Sequence, residues 1–425
     1  MVRVSGVRAL IGLLEPREDG RRVALSLLGR VLARSRVASP LCPSPSEMER
    51  GRGGSRWGEA SPRRILVIRP DHLGDLLFLT PALRRLGQTF PNAEIVGLVG
   101  PWGQPVLATN PYLSRLIAWK FPWFDRQPRR SLFGPYVSLI RLATRLRREE
   151  FDLAFQFRPD FWWGALAVRL AGVPEQVGYD VPVVRPFLDR AIPVQHGLHA
   201  ALENLRLVEA VAGPGEASGL EFRLRQADER RANELLRSVA DQRCLVGIQA
   251  GAGAPVKLWP LDRLATVGRG LRDRFGATLV VIGGESEREA VATIVREIGD
   301  GALGLAGVTT IGELAAVLAR CQLVVGPDSG PLHLAVAVGT PTVHLFGPAD
   351  AIRFGPYGDP ARHRVVHTRW PCSPCDRLDF VGVDLERHDC MSRIEVDDVL
   401  DVASELLGRL SPGDTISRPE TTRDG

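Results

Sequence analysis

Lysine and cysteine are both scarce in this sequence. Only Lys120 and Lys257 among its 54 basic residues are lysine, and arginine supplies all the others. The two side chains differ in shape and in donor geometry, so a lysine retained in such a chain is a candidate for a specific role. The chain has only six cysteines in 425 residues. That number excludes the disulfide framework of small secreted proteins.

Long apolar runs are also missing. No segment approaches the roughly 20 apolar residues that a membrane-spanning helix needs. The first apolar run, residues 9–14, is too short for the core of a signal peptide and is followed at once by Glu15. We therefore expect a cytoplasmic protein. With 44% hydrophobic and 6% aromatic residues, the composition suits an α/β protein of two or three domains and excludes a collagen-like or wholly disordered chain.

The basic excess lies at the N-terminus. Residues 1–64 contain 13 arginines and six acidic residues, a net charge of +7, and the remaining chain carries −2. The overall charge of +5 is therefore no argument for nucleic-acid binding. Residues 21–36 predict an amphipathic helix, which could lie on an anionic membrane surface or pack on its own domain. Residues 39–64 are rich in Pro, Ser, Gly and Arg and predict a flexible linker.

A first β/α series follows the linker. The apolar run 65–68 predicts a short strand that stops at Pro70, and a loop then leads into helical residues through Arg85. A strand at 94–99 completes a β-α-β start to a parallel sheet. Further strands are predicted at 115–119 and 151–156, and helices at 136–148, 198–211 and 227–239.

A second series begins at residue 245. Its predicted strands are 245–249, 278–282, 323–325 and 342–346, and its predicted helices are 261–275, 285–298, 311–320, 331–338 and 396–410. Two such series predict two doubly wound domains, whose ligands lie beyond the carboxyl ends of the strands and hence in the cleft between them. The predicted division is an extension (1–64), a first domain (65–240), a second domain (241–410) and a polar tail (411–425).

The loop from residue 325 to residue 334 predicts an anion site. Pro331 suits the first turn of a helix, and Gly330 permits close backbone approach. The amides of Gly330 and Leu332, the Ser329 hydroxyl and the helix dipole could together hold a nucleotide diphosphate. A tight turn capped by Ser or Asp is the alternative.

Two further residues follow strands and could act in chemistry. Lys257 could neutralise a departing phosphate, because transfer from a sugar diphosphate builds negative charge there; a solvated loop lysine is the alternative. Asp75 could be a general base that deprotonates an acceptor hydroxyl. The alternative for Asp75 is a helix N-cap.

Taken in order, these segments resemble glycosyltransferase family 9, the lipopolysaccharide core heptosyltransferases and their relatives. The motifs are Ile-Leu-Val-Ile-Arg-Pro70, His-Leu-Gly-Asp75, Lys-Leu-Trp-Pro260, Pro-Asp-Ser-Gly-Pro-Leu-His-Leu334 and Leu-Phe-Gly-Pro348. The resemblance runs from about residue 65 to residue 407. It implies a GT-B fold, two Rossmann-like domains that face a central cleft. It also implies an inverting transfer that needs no metal or cofactor, usually from ADP-heptose to a lipid-linked or oligosaccharide acceptor of the lipopolysaccharide type.

The resemblance also implies roles for individual residues. Asp75 corresponds to the general base and Lys257 to the residue at the donor phosphates. Apart from the resemblance, the loop that contains Asp75 places Arg69, His72 and Gly74 on the acceptor side, where His72 could orient the acceptor or be an exposed loop residue. The resemblance assigns Asp328, Ser329, Gly330 and His333 to donor binding and, by a looser match, Gly283, Gly284 and Glu285. The loops themselves add Gly251, where small residues admit a ligand, and Leu332 to the donor-binding set.

Some alternatives remain open at this stage. A GT-B nucleotide-sugar epimerase and a non-catalytic nucleotide-sugar-binding protein share the fold, although the residues at Asp75, Lys257 and Asp328 argue against both. The segment with Cys372, Cys375, His388 and Cys390 could hold zinc or be a thiol-containing loop. Peripheral contact with the inner face of the plasma membrane is a further expectation.

Overall fold

The structure, a computed structural model, describes residues 61–124, 133–239, 244–368, 370–380 and 388–409. The amphipathic helix expected at 21–36, most of the linker and the tail at 411–425 lie outside these residues. Within the described residues, no helix combines the length and the apolar character needed to cross a bilayer.

The first half of the described chain forms a parallel sheet with strand order β3-β2-β1-β4-β5-β6. Its central strand pairs on both sides, with Val67 opposite Gly97 in one neighbour and Phe155 in the other. Both faces of such a sheet are buried, so its strands are largely apolar. The strands are β1 Arg64–Arg69, β2 Glu94–Val99, β3 Arg115–Ala118, β4 Leu153–Gln156, β5 Glu175–Tyr179 and β6 Arg190–Ile192.

Helices connect the strands of this first sheet, and two more helices follow its last strand in the chain. The predicted helix after β1 is two helices, because the chain turns at Phe78 and Leu79. The helices are α1 Leu73–Leu77, α2 Thr80–Thr89, α3 Gln104–Leu107, α4 Gly134–Arg148, α5 Trp162–Ala171, α6 Ala200–Ala212 and α7 Gln226–Leu235.

The second half repeats the topology. Its strands are β7 Leu245–Gln249, β8 Thr278–Ile282, β9 Ala302–Gly304, β10 Leu323–Pro327, β11 Thr342–Phe346 and β12 His363–His367. They lie in the order β12-β11-β10-β7-β8-β9, which is the order of the first sheet seen from the opposite edge. The helices are α8 Leu261–Phe275, α9 Arg288–Ile298, α10 Ile311–Leu318, α11 Gly330–Ala337, α12 Ala351–Phe354 and α13 Val396–Arg409.

The two sheets confirm the predicted pair of doubly wound folds. In each, the strand order reverses beside the first strand, between β1 and β4 in one sheet and between β7 and β10 in the other. Ligands of such sheets bind outside the carboxyl ends of the strands at this reversal. The domain boundaries at 240 and 410 stay predictions.

The ends of two helices bring the reversal points face to face. A Cβ atom added to Gly330, at the start of α11, would lie 2.8 Å from a methyl carbon of Leu73 at the start of α1. The Phe78 and His333 rings also meet edge to face at 4.6 Å between centroids. The carboxyl-end loops of the two sheets therefore share one region.

Candidate active site

A cluster of four charged side chains lies beyond β1 and β4. The Nε atom of Arg69 is 2.6 Å from Oδ2 of Asp71, and its Nη2 is 3.2 Å from Oδ1 of Asp75. Nη1 of Arg158 is 2.5 Å from the other carboxylate oxygen of Asp71. The buried Asp71 thus holds two guanidinium groups, and one of these contacts Asp75.

The environment of Asp75 suits proton transfer. Burial raises the pKa of its carboxyl group and the charge of Asp71 raises it further, while Arg69 and Arg158 act in the opposite direction; the net shift is upward. A third of the side chain, 34%, is still exposed. A carboxylate with a raised pKa that remains accessible is a good candidate for a general base. The capping alternative does not hold, because the N-cap position of α1 is His72.

The predicted acceptor-side residues differ in their surroundings. Arg69 is buried, and its Nη1 donates hydrogen bonds to the carbonyl oxygen of Phe157 (2.5 Å) and to Oδ1 of Asn204 (3.2 Å). His72 occupies the N-cap position of α1, and its ring centroid lies 5.5 Å from that of Trp102. Gly74 is part of the contact between the two halves, since a Cβ there would lie 3.1 Å from Cδ2 of His333.

Lys257 and Asp328 form the corresponding cluster beyond β7 and β10. Nζ of Lys257 is paired with Oδ2 of Asp328, and Nε2 of His333 lies 3.2 Å from Oδ1 of the same carboxylate. Burial alone would raise the pKa of Asp328, but the hydrogen bond with His333 and the charge of Lys257 lower it to about 2. The lowered pKa favours the charged form of Asp328, whose carboxylate fixes the position of Lys257.

Buried polar atoms in the same region have no hydrogen-bond partner among the described residues. They are Oγ of Ser329, Nδ1 of His333 and Oε1 of Gln249. Buried polar groups are usually satisfied, so such a group needs a partner of its own. The Ser329 hydroxyl and the amide of Gly330 can donate to an anionic ligand, whereas the amide oxygen of Gln249 can only accept and suits a donor group. The prediction of a free amide at Leu332 is wrong, because this amide already donates to the carbonyl oxygen of Ser329 over 3.1 Å.

The glycines predicted on the donor side surround Glu287, a residue outside the predicted donor-binding set. A Cβ on Gly251 would lie 2.7 Å from Cγ of Glu287, and the backbone N–H of Gly284 donates to Oε2 of Glu287 over 2.6 Å. A Cβ on Gly283 would meet the same side chain. Glu285, the acidic residue in the predicted donor-binding set, is mostly exposed and paired with Arg288. Glu287 is therefore the carboxylate that lines the loop.

Two other charged residues were missed, Asp71 and Arg158. The sequence did contain a signal, because Arg-Pro-Asp occurs at the end of β1 (Arg69–Asp71) and again just after β4 (Arg158–Asp160). β1 and β4 are neighbours in the sheet. Residues that follow adjacent parallel strands meet at one edge.

The cysteine segment gives no support to a zinc site. The His388 ring packs on Phe380 at 3.5 Å between centroids. Cys390 is buried, whereas Cys372 is exposed. In the described part of the chain, no three His, Cys, Asp or Glu side chains are grouped so that they could hold a metal ion.

Sequence comparison matches this chain to one family of glycosyltransferases. A family model for glycosyltransferase family 9 (heptosyltransferase) matches residues 139–379. Lipopolysaccharide heptosyltransferase 3 of Escherichia coli is 27% identical over 296 residues, which span 67% of this chain and 84% of that protein.

Solved structures agree with this match. The crystal structure of a family 9 glycosyl transferase from Veillonella parvula is 25% identical, has a TM-score of 0.70 and aligns over 82% of this chain and 98% of its own. The Escherichia coli ADP-heptose lipopolysaccharide heptosyltransferase II is 21% identical, has a TM-score of 0.65 and aligns over 81% and 99% of the two chains. The fold is therefore of the GT-B type, as the sequence predicted.

Proposed function

The chain belongs to glycosyltransferase family 9 and is a glycosyltransferase, and we propose that it moves a heptose from ADP-heptose onto a lipopolysaccharide-type or other glycan acceptor. One observation carries the proposal: the carboxylate of Asp75 and the ammonium group of Lys257 lie at the two facing reversal points. The named substrate of the Escherichia coli relative, ADP-heptose, supports the choice of donor.

The second domain supplies the donor site in this proposal. Lys257, the amide of Gly330 at the start of α11 and the Ser329 hydroxyl bind the diphosphate and stabilise the charge that develops as ADP leaves. Asp328 keeps the lysine in place. Because a fixed cation and the start of α11 take the charge, the scheme needs neither a metal ion nor a cofactor.

The first domain supplies the base. Asp75 removes the proton from an acceptor hydroxyl, and that oxygen attacks the anomeric carbon of the heptose. The bond from this carbon to the phosphate oxygen breaks, and its electron pair leaves with ADP. A single displacement of this kind inverts the anomeric configuration. Arg69 and Asp71 are positioning residues that hold the Asp75 carboxylate towards the cleft.

Family membership also decides between the earlier alternatives. The relatives are named as transferases, and in this proposal Asp75 acts on the hydroxyl of an acceptor, a substrate that an epimerase does not have. We therefore do not retain the epimerase or the non-catalytic binding protein. We propose a cytoplasmic enzyme that meets a lipid-linked acceptor at the inner face of the plasma membrane.

A panel of nucleotide sugars tests the function. The protein is incubated with each donor, with and without a lipopolysaccharide-core acceptor, and the products are identified by mass. We expect acceptor-dependent release of ADP from ADP-heptose and a heptosylated product whose anomeric configuration, measured by NMR, is opposite to that of the donor. Transfer from another nucleotide sugar alone, or retention of configuration, would contradict the proposal.

A further inference from the structure

The outer face of helix α4 is an exposed apolar surface next to the first domain's ligand edge. Its inner residues, Leu139, Leu142, Ala143 and Leu146, are buried. Its outer residues include large apolar side chains whose exposure to water is unfavourable. Phe133 is 66% exposed and Ile140 is 57% exposed. Tyr136 and Val137 lie between them and are also exposed. A contiguous exposed apolar patch is a mark of an interaction site.

Arginines continue the same face towards the end of the helix. Arg141, Arg145 and Arg148 line a shallow groove of about 430 Å³ together with Ile140, Thr144 and Glu149. None of the three arginines has an ion-pair partner among the described residues. The helix itself contains no acidic residue, and the carboxylate of Glu149 is already paired with Arg115 at 2.6 Å. The face therefore combines apolar bulk with unneutralised positive charge.

Contacts at the two ends of α4 fix its direction. Trp119, which follows β3, donates to Oγ of Ser138 over 3.1 Å near the start of the helix. At the other end, Arg64 at the start of β1 donates to the Glu149 carbonyl oxygen over 2.8 Å. The helix thus runs from the carboxyl edge of the sheet to its amino edge. Its apolar half lies at the edge where Asp75 is found.

An exposed tryptophan lies at the same edge. Trp123, which is 48% exposed, follows β3 and packs against Trp162 at 5.7 Å between ring centroids. The next residue, Trp163, donates its indole N–H to the carbonyl oxygen of Pro135 in the first turn of α4. Tryptophan and tyrosine are favoured at membrane–water interfaces because their rings are apolar and carry a polar atom.

We propose that this α4 face, comprising Phe133, Tyr136, Val137, Ile140 and the three arginines, docks on the surface of an anionic lipid bilayer. Apolar side chains that enter the headgroup region, flanked by arginines, are the composition of interfacial helices. Charge complementarity favours a lipid surface over the basic N-terminal extension as the occupant. The orientation would place the Asp75 cleft at the membrane surface.

Vesicle binding by the full chain tests the proposal without donor or acceptor, so its outcome is independent of the transfer reaction. The probe is a vesicle of equal parts phosphatidylglycerol and phosphatidylcholine, compared with pure phosphatidylcholine. We expect binding to the anionic vesicle that weakens as salt is added. The variant Arg141→Gln/Arg145→Gln/Arg148→Gln should lower the partition coefficient about 100-fold, because each arginine near an anionic surface contributes about a five-fold factor.

Two further variants make the test specific. Phe133→Ser/Ile140→Gln should weaken binding about ten-fold or more through lost apolar contact, and serine suits the N-cap position of α4. The control Arg225→Gln/Arg230→Gln/Arg237→Gln removes the same charge around α7, where the arginines are exposed, and should change binding less than about two-fold. Thermal unfolding checks that all the variants are folded.

Three results would overturn the proposal. The α4 variants could bind as the wild type does, which would place any lipid contact elsewhere. The α7 control could lose as much binding as the α4 arginine variant, which would make net charge the only cause. Sedimentation could reveal a dimer that only the Phe133/Ile140 variant abolishes, with vesicle binding unaffected; the face would then contact a second copy of the chain.

Discussion

Gly74 of the first domain and His333 of the second are in direct contact, so close that a Cβ on the glycine would lie 3.1 Å from Cδ2 of the imidazole. Gly74 precedes Asp75 in the chain, and His333 is hydrogen-bonded to Asp328, the partner of Lys257. One short path of contacts therefore links the proposed base to the proposed phosphate-binding lysine. The distance between the two chemical groups depends on how closely α1 and α11 approach.

A larger side chain at Gly330, which lies on the second-domain side of the same interface, should separate α1 from α11. In Gly330→Ala the new Cβ would lie 2.8 to 2.9 Å from three carbons of Leu73, one of which is its Cβ. Because that atom is fixed by the backbone, we expect the free energy of unfolding to fall by about 1–3 kcal/mol and kcat to fall with it. Urea denaturation and a transfer assay measure the two effects.

Gly408→Ala in α13 is the matched control, because its Cβ would meet nothing within 4 Å. It should leave activity unchanged and stability equal or slightly higher, since alanine is favoured over glycine in a helix. If Gly330→Ala behaves like this control, the close approach of α1 and α11 has no role in the site.

Replacement of Lys257 should have two separable effects. Lys257→Ala should raise the donor Kd by about 10- to 150-fold, which corresponds to a lost charge-assisted contact of about 1.5–3 kcal/mol. It should also destabilise the protein by about 3 kcal/mol, because the buried Asp328 carboxylate loses its cation. Sequence alone gave no reason to expect the second effect, since the ion pair becomes visible only in the fold.

The double variant Lys257→Ala/Asp328→Asn separates the two effects. Neutralising the orphaned carboxylate should restore most of the stability, as measured by urea denaturation. Donor affinity, measured by calorimetry with ADP-heptose, should stay low. Recovery of both quantities together would mean that Lys257 serves only Asp328 and does not bind phosphate.

The pH dependence of transfer should report the pKa of Asp75. Its pKa is raised by burial and by Asp71, so kcat/KM should fall as pH decreases through this raised value, because the protonated carboxyl group cannot accept a proton. In Asp71→Asn the acid limb should move to lower pH, since Arg69 then acts on Asp75 without the opposing negative charge. A pH–rate profile measures the shift, and an acid limb at the same position in both proteins would argue against this pair of charges.

Chelation should leave activity intact. The charge on the leaving ADP is assigned to Lys257 and to the start of α11, both of which are parts of the polypeptide. Enzyme dialysed against EDTA should therefore transfer at its original rate. A loss of activity that a divalent cation restores would require a different assignment.

The sequence predicted several core strands well because each is a short, mostly apolar segment bounded by polar residues, glycine or proline. The limits of β7, β8 and β11 agree with the predicted limits residue for residue. β5 was not predicted, because its Glu175 and Gln176 are polar although the structure buries them. α5 was not predicted either, since a helix that is apolar over most of its circumference has no amphipathic period.

The sequence predicted those site residues that a local pattern marks and missed those that meet only in the folded chain. Asp75, Lys257 and the Asp328 loop each stand directly after a strand, and a local pattern is enough to select them. Arg158 acts through Asp71, which is 87 positions away in the chain, and such a pair emerges only when β1 and β4 become neighbours. Glu285 and Glu287 are both glutamates in the same short segment, so the sequence does not indicate which of them faces the glycines. Only the conformation of the turn after β8 decides this.

Substitution of Asp75 by asparagine, compared with the wild type, is the sharpest test of Asp75 as the general base. Asparagine keeps the shape of the side chain but cannot take the proton of the acceptor. We expect acceptor-dependent release of ADP from ADP-heptose to fall about 10²- to 10⁴-fold, with the donor Kd measured by calorimetry unchanged. A near-normal rate of transfer in Asp75→Asn would show that Asp75 is not the base.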